Sequence, residues 1–172
     1  MTKDRKKDPS AIFWDLIVEK SKELIPGMNG FIGRAPDCLF SIWENFDPER
    51  HDDRDYRSQL GNTVSRYHDY LRVEQNKSIR ITHRTNKPTY VIRQDRRGKF
   101  PFPSSTNLSD YYRFTRDLQE LITPLQPSDE IYLHIGDLLV LSEGYGFEIR
   151  AFQKQPRLKS PRLADTQKID LE

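Results

Sequence analysis

The sequence has little cysteine and no long hydrophobic run, and these absences exclude several classes of protein. Its 172 residues include one cysteine, Cys38, so neither an intramolecular disulfide nor a multi-thiolate zinc site can form within the chain. No apolar stretch approaches the roughly 20 residues that a transmembrane helix needs, so we expect no contact with a membrane. Glycine-rich phosphate loops of the GxxxxGK[ST] and GxGxxG types are absent as well.

The composition nevertheless predicts a folded domain. Hydrophobic residues make up only 35% of the chain and charged residues 31%, but aromatic residues reach 11%, which is more than disordered chains contain. The charged N-terminus has no apolar run of signal-peptide type after it, so we expect a cytoplasmic protein. From local polarity we predict a disordered tail over 1–7, a single domain over 8–153 and a flexible basic tail over 154–172.

Apolar residues at helical spacing predict about four helices in the domain. The stretch that follows Asp8-Pro9 and ends before Pro26 resembles a capped helix. The predicted helices cover 10–24, 37–46, 56–73 and 107–121.

The second half of the chain changes to strand periodicity. Ser78–Arg84 alternates strictly, and the β-branched run Thr89–Arg93 follows after Asn86-Lys87-Pro88, so a β-hairpin is predicted over 78–93. Short apolar runs separated by glycine-containing turns predict a meander over 131–152. The predicted fold class is therefore α+β, in which about four helices accompany a mainly antiparallel sheet.

Charge is strongly segregated along the chain although the net charge is only +2. Residues 77–99 contain eight basic side chains and one acidic side chain, whereas residues 104–148 contain eight acidic and two basic side chains. The predicted hairpin thus carries most of the positive charge of the strand-rich half.

This basic hairpin favours a non-catalytic binding or regulatory module that contacts DNA or RNA. A twisted two-stranded ribbon fits the major groove, and arginine and lysine neutralise phosphates. The residues predicted to bind nucleic acid are Arg80, Arg84, Lys87, Arg93, Arg96, Arg97 and Lys99.

Two alternatives use the same charges differently. The basic hairpin can pack against the acidic segment 104–148 of its own chain, where exposed ion pairs contribute little. In a protein-interaction or adaptor domain, the basic surface would instead dock an acidic partner protein or a second copy of the chain. The loop with Gly27, Gly30 and Gly33 would then present Phe31 and Ile32 as contacts.

A third alternative is a small metal-independent ribonuclease. Such an enzyme needs an acid, a base and a phosphate clamp on one sheet. His83, His134, Tyr90, Arg80 and Arg93 supply the required side chains if they converge. A histidine on an apolar strand face is more often a hydrogen-bonded core residue, and we assign no catalytic residue.

The cluster of acidic residues and histidine near residue 52 does not have the pattern of a metal site, and no metal site or cofactor is predicted. His51, Asp52, Asp53 and Asp55 lack calcium-loop spacing and alternate with arginines.

Two further patterns resemble metal-dependent enzymes but depart from them. The dipeptides His51-Asp52 and His68-Asp69 resemble the metal-binding pair of HD-type phosphohydrolases, although a strand-rich half departs from that helical pattern. Asp137 and Glu148 resemble the carboxylates of metal-dependent nucleases, but Arg150 replaces the lysine.

Overall fold

Ten β-strands make up most of the fold in a computed structural model of the chain, which describes residues 10–45 and 55–152. The strands are β1 (Ala11–Asp15), β2 (Lys20–Leu24), β3 (Asn29–Gly33), β4 (Phe40–Ser41), β5 (Asp69–Val73), β6 (Ile79–His83), β7 (Thr89–Ile92), β8 (Glu130–Leu133), β9 (Leu138–Leu141) and β10 (Tyr145–Ala151). The helices are α1 (Tyr56–Asn62), α2 (Leu108–Leu121) and two short 3-10 helices, Ile42–Asn45 and Gln94–Lys99. Ser10–Ala151 forms one compact unit; the predicted tails 1–7 and 154–172 lie outside the described residues.

The strands form two five-stranded sheets that pack face to face as a β-sandwich. The first sheet has the order β2-β1-β10-β9-β7, and the second has the order β4-β3-β5-β6-β8. All pairs are antiparallel except β3 with β4. Alternate residues of each sheet enter a common apolar core, as strand periodicity requires. Its members include Phe13, Leu139 and Phe147 from the first sheet and Ile32, Leu71 and Ile81 from the second.

The outer face of the first sheet is covered by α2. Phe114 and Leu118 of this helix pack in a second apolar cluster with Leu138 and Val140 of β9. Burial on both faces explains why β9 is apolar at every position. The predicted helix over 107–121 is confirmed, and Asn107 caps it by accepting a hydrogen bond from the Ser109 backbone N–H. None of the helices in the described ranges has the length and apolar character that crossing a bilayer requires.

The predicted α+β class is wrong, and the first predicted helix shows why. Residues 10–24 form the antiparallel strands β1 and β2. Phe13 and Asp15 are buried at alternate positions, because β1 lies beside β10 in the centre of a sheet. The spacing of Phe13, Ile17 and Leu24 also fits a helix, so the local pattern is ambiguous and a partner distant in sequence decides the structure.

One other predicted helix is shortened and another is replaced, for the same reason. In the segment 56–73 the helix ends at Asn62, and a strand begins at Asp69. Leu71 and Val73 are buried on either side of exposed Arg72, which is strand alternation. The segment 37–46 contains only the two-residue strand β4 and the 3-10 helix Ile42–Asn45 within its described part.

The predicted strand positions are largely correct, but their partners are wrong. β6 pairs with β5 and β8 in the second sheet, whereas β7 pairs with β9 in the first. The segment 86–88 therefore carries the chain from one sheet to the other and does not close a hairpin. In the predicted meander only β9 and β10 pair with each other, since β8 pairs with β6.

We predict that Phe13→Ala lowers the free energy of unfolding by about 3–5 kcal/mol, the usual effect of truncating a buried phenylalanine. The ring of Phe13 is stacked on Phe147 with centroids 4.5 Å apart and also contacts Phe40. Urea unfolding followed by tryptophan fluorescence measures the change. Leu121→Ala at the exposed end of α2 is the matched control and should change stability by less than about 0.5 kcal/mol. A similar effect of both variants would contradict the assigned core.

Candidate functional site

The seven basic residues predicted to bind nucleic acid do not form one hairpin surface, because β6 and β7 belong to different sheets. Three of them form ion pairs with acidic side chains. The Arg80 guanidinium lies 3.5 Å from Glu74 and 3.6 Å from Glu130. Arg93 lies 2.6 Å from Asp137, and Arg97 lies 2.9 Å from Glu148.

The remaining four basic residues are divided between two places. Arg96 lies over the Phe100 ring, with its guanidinium carbon 5.6 Å from the ring centroid, and Lys99 is exposed at the end of the same 3-10 helix. Arg84 and Lys87 are exposed on the segment between β6 and β7. Three of the seven predicted residues thus pair with acidic side chains of the same chain, and the other four form no ion pair within the described residues.

The predicted ribonuclease residues do not converge in an open cleft. His83 and Tyr90 are each only 1% exposed, so neither can reach a substrate, and His134 lies on the exposed connection after β8.

The two carboxylates that resembled a nuclease metal site are held by arginines. Asp137 accepts hydrogen bonds from Arg93 and from the backbone N–H of Gln94. Burial acts to raise the pKa of Glu148, but hydrogen bonds from Arg97 and Arg150 prevail and hold this pKa below its usual value.

The cluster of acidic residues at 51–55 lies mostly outside the part of the chain that the structure describes. Its residues His51, Asp52 and Asp53 lie outside the described residues, and Asp55 caps α1 by accepting from the Arg57 backbone N–H.

Three loops meet where β3 and β6 end and β5 begins, and we call this group the loop cluster. Its segments are Gly33–Ala35, Val64–His68 and Arg84–Pro88. The Arg34 N–H donates to the Ser65 carbonyl and the Ala35 N–H to the Arg66 carbonyl, each at 3.1 Å. The side-chain hydroxyls of Ser65 and Thr85 lie 2.8 Å apart and share a hydrogen bond. All three segments are thereby joined by hydrogen bonds.

Gly33 is required by the close approach of the first two segments. A Cβ atom at this position would lie 2.2 Å from the Arg66 carbonyl oxygen and 2.8 Å from that of Ser65. These are backbone atoms that cannot move aside like a flexible side chain. The glycine therefore allows the segment with Arg34 to lie directly against the segment with Ser65.

The buried His68 side chain supports the loop cluster from beneath. Its Nδ1 accepts a hydrogen bond from the Ser65 backbone N–H at 3.1 Å, so the proton of the neutral ring lies on Nε2, which donates to the Pro88 carbonyl at 3.1 Å. Burial lowers the pKa of His68, and the neighbouring Asp69 carboxylate only partly offsets this. One neutral imidazole thus holds two of the three segments.

The loop cluster carries exposed cationic side chains, and its two hydroxyl residues are half-buried. Arg34 is half-buried, and Arg66, Arg84 and Lys87 are exposed. The Nε of Arg34 donates to the Val64 carbonyl, which fixes the guanidinium while its terminal nitrogens have no hydrogen-bond partner in the described residues. Arginine held in this way can present two parallel donors to an oxyanion.

One acidic residue lines a pocket at the edge of this surface, beside Tyr67 and Arg84. The Asp37 carboxylate accepts a hydrogen bond of 2.8 Å from the Tyr67 hydroxyl. Arg66 and Arg84 form no ion pair within the described residues. The arrangement can therefore bind an oxyanion by charge and by hydrogen bonds from hydroxyl groups.

One buried cluster of the described residues has the composition of a metal site. His68, Asp69 and His83 bring three potential ligand atoms close together. However, His83 Nδ1 lies 2.7 Å from one Asp69 oxygen, and Thr89 donates to the other at 2.9 Å. Both His68 nitrogens are engaged as well. These hydrogen bonds satisfy the ligand atoms and explain the cluster as a structural network.

Sequence reasoning missed Arg34, Ser65 and Thr85, because their segments are brought together only by sheet pairing. The one local signal is Gly33 directly before Arg34, because a glycine at a strand end permits close backbone approach beside a basic residue. Of the predicted loop contacts, Ile32 is fully buried. Phe31 is half-buried, and its ring meets Tyr67 and Tyr70 edge-on.

Comparison with known proteins relates the fold to solved structures. No family model and no curated protein matches the chain. The solution structure of the FHA domain of an Arabidopsis thaliana hypothetical protein matches with a TM-score of 0.51 and 13% identity over 87% of this chain and 91% of that one. The chain shares the fold of FHA domains.

Two further FHA structures match with lower scores. The FHA domain of human APLF, solved with an XRCC1 bisphospho peptide, has a TM-score of 0.47 and 20% identity over 83% of this chain and 99% of that one. The N-terminal FHA domain of Rad53p from S. cerevisiae, solved with a phosphothreonine peptide, has a TM-score of 0.48 and 10% identity over 83% of this chain and 94% of that one.

Gly33→Ala is expected to lower the free energy of unfolding by about 1–3 kcal/mol, the range for forcing extra volume into a packed site. The cause is the contact of the new Cβ with the Arg66 carbonyl. Thermal unfolding measures the effect. Gly98→Ala is the control, because nothing lies within 4 Å of a Cβ at that position. Equal stability of the two variants would show that the loops do not approach as described.

The unfolding free energy should fall as the pH is lowered through the ordinary histidine pKa, about 6.5. The native state holds His68 neutral below that pH, whereas the unfolded chain binds the proton, so acid favours unfolding. Urea titrations between pH 7.5 and 5 measure the slope, which should be smaller in His68→Gln. An unchanged slope in His68→Gln would exclude this residue as the source.

Proposed function

We propose that this chain is a protein-interaction module that binds a phosphorylated peptide segment of a partner at the loop cluster. The observation that carries the proposal is the preformed set of Arg34, Ser65 and Thr85. These residues come from three different loops and are joined to one another by hydrogen bonds. The shared FHA fold supports the architecture, and the chemistry of these side chains supports the ligand.

Arg34 would serve as the principal phosphate contact. Its Nε bond to the Val64 carbonyl restricts the side chain before any ligand binds. Less conformational entropy is then lost on binding. A guanidinium matches two phosphate oxygens at once, which a lysine cannot do.

The Ser65 and Thr85 hydroxyls would complete the phosphate site. Each hydroxyl can donate to a phosphate oxygen while it accepts from a neighbour. In their 2.8 Å hydrogen bond one hydroxyl donates and the other accepts. The hydrogen of the accepting hydroxyl therefore remains available to an incoming anion. The His68 ring holds the Ser65 backbone and thereby fixes the position of one of these hydroxyls.

The local charge favours a phosphorylated peptide over the same peptide without phosphate. A phosphorylated side chain carries about −1.5 to −2 charges at neutral pH. Positive charge surrounds the cluster at Arg34, Arg66, Arg84 and Lys87, and Asp37 is an acidic residue at its edge. An unphosphorylated serine or threonine offers nothing to balance this charge.

The proposal is tested by the affinity of the purified chain for matched peptide pools that carry phosphothreonine, phosphoserine, phosphotyrosine or no phosphate. Fluorescence anisotropy should show binding only to phosphorylated pools. Arg34→Ala should weaken binding about 10- to 100-fold, the range for losing a charged hydrogen bond. Arg34→Lys should restore only part of the affinity, because charge remains but the paired donors do not.

Arg113→Ala provides the matched control, since Arg113 lies exposed on α2 beside Asp110. This variant should bind like the wild-type chain. Equal affinity for phosphorylated and unphosphorylated pools, or wild-type affinity of Arg34→Ala, would refute the proposal. Inclusion of labelled single- and double-stranded RNA and DNA in the same assay tests the nucleic-acid interpretation directly.

A further inference from the structure

The outer face of the second sheet carries aromatic and arginine side chains in two rows that run across the strands. The pairing register aligns Phe31, Tyr70, Thr82 and Glu130 in one row. It aligns Asn29, Arg72, Arg80 and Tyr132 in the next row. Four of the eight side chains are exposed, namely Asn29, Arg72, Glu130 and Tyr132, and the other four are half-buried. Tyrosine and arginine are the residues that protein interfaces favour.

The second row contains an arrangement that is unfavourable in the free protein. Arg72 and Arg80 lie directly opposite each other on neighbouring strands, and like charges in that position destabilise a sheet. Arg80 is drawn toward Glu74 and Glu130, but at 3.5 and 3.6 Å. Arg72 forms no ion pair within the described residues. An anion placed between the two guanidinium groups would relieve this repulsion.

A shallow cleft provides room for such an anion. It has a volume of about 260 Å³ and is lined by Tyr70, Arg72, Arg80, Thr82, Arg84 and Glu130. The lining therefore contains three arginines and one glutamate, and Glu74 contacts Arg80 as well. Arg84 connects the cleft to the loop cluster, because it adjoins Thr85 in the chain.

We propose that this cleft binds an acidic segment of the same partner whose phosphorylated residue occupies the loop cluster. The inference rests on the proposed function and adds the chemistry of the partner. A strand advances about 3.3 Å per residue, so Arg80 lies roughly 17 Å along the chain from Thr85. An extended peptide covers this distance in about five residues. The partner would thus carry aspartate, glutamate or a second phosphate about four to six residues from the first phosphate.

The test compares singly phosphorylated peptides that differ only in a three-residue tract four to six positions from the phosphate. In one set of peptides the tract consists of aspartate or glutamate, and in the matched set it consists of asparagine or glutamine. Each set includes peptides with the tract before the phosphate and peptides with the tract after it. In wild-type protein, the acidic tract on one side should tighten binding about five-fold or more, and added salt should reduce the gain. The gain should disappear in Arg72→Gln/Arg80→Gln. Arg113→Ala should retain it.

Two measurements separate this inference from the proposed function. If Arg34→Ala abolishes phosphopeptide binding but the acidic tract has equal effect in wild-type and the double variant, the cleft is not the acidic site and the proposed function stands. If no phosphopeptide binds, an unphosphorylated acidic peptide is titrated while the backbone amide signals of Tyr70 and Thr82 are observed by NMR. Shifts there would keep the acidic site and reject phosphate recognition; no shifts would reject both.

Folding of the variant is checked separately. Arg72→Gln alone should unfold at the same temperature as the wild-type chain or higher, because it removes a like-charge pair. A marked loss of stability would overturn the premise that the pair is unfavourable. Displacement of the acidic peptide by single-stranded RNA, with RNA binding lost in the double variant, would overturn the assignment to a protein partner.

Discussion

The hydrogen bonds of the buried Asp69 carboxylate are the interactions on which the rest of the described fold most depends. The carboxylate lies on β5 in the second sheet, accepts from Thr89 on β7 in the first sheet, and is bound to His83 on β6. A charge buried without partners is strongly destabilising, so the two sheets must meet in one register here. His68 is adjacent in sequence and holds the Ser65 and Pro88 backbones. The network that joins the sheets therefore also shapes the loop cluster.

The sequence predicted the elements that local pattern alone determines. The helix over 107–121 has a capping asparagine and one apolar side, and the strands near 79–83, 89–92 and 138–141 have clear alternation or continuous apolarity. The helices predicted over 10–24 and 56–73 were wrong because the apolar residues there fit both helical and strand spacing. The predicted pairing of strands was wrong because β6 and β7 are adjacent in the chain yet pair with different strands.

The candidate site escaped prediction for the same physical reason. Arg34, Ser65 and Thr85 are separated by about 20 to 30 residues and meet only because β3, β5 and β6 are neighbours in one sheet. A count of charges instead selected Arg80, Arg93 and Arg97, which face acidic residues in the folded chain. Basic and acidic residues are indeed segregated along the sequence, and some arginines of the basic segment form ion pairs with carboxylates of the acidic segment. The loop-cluster cations are among those that remain without ion pairs in the described residues.

The pairing of the first and last strands affects how the domain would respond to a pulling force. Ala11 lies opposite Ala151 at one end of the ladder that continues to Asp15 and Phe147. A force that separates these two ends would load the hydrogen bonds of β1 and β10 one after another, as in unzipping. Strands pulled lengthwise past each other would share the load among all their bonds. This domain would therefore yield at low force when held by both ends, although its centre is a tightly packed sandwich.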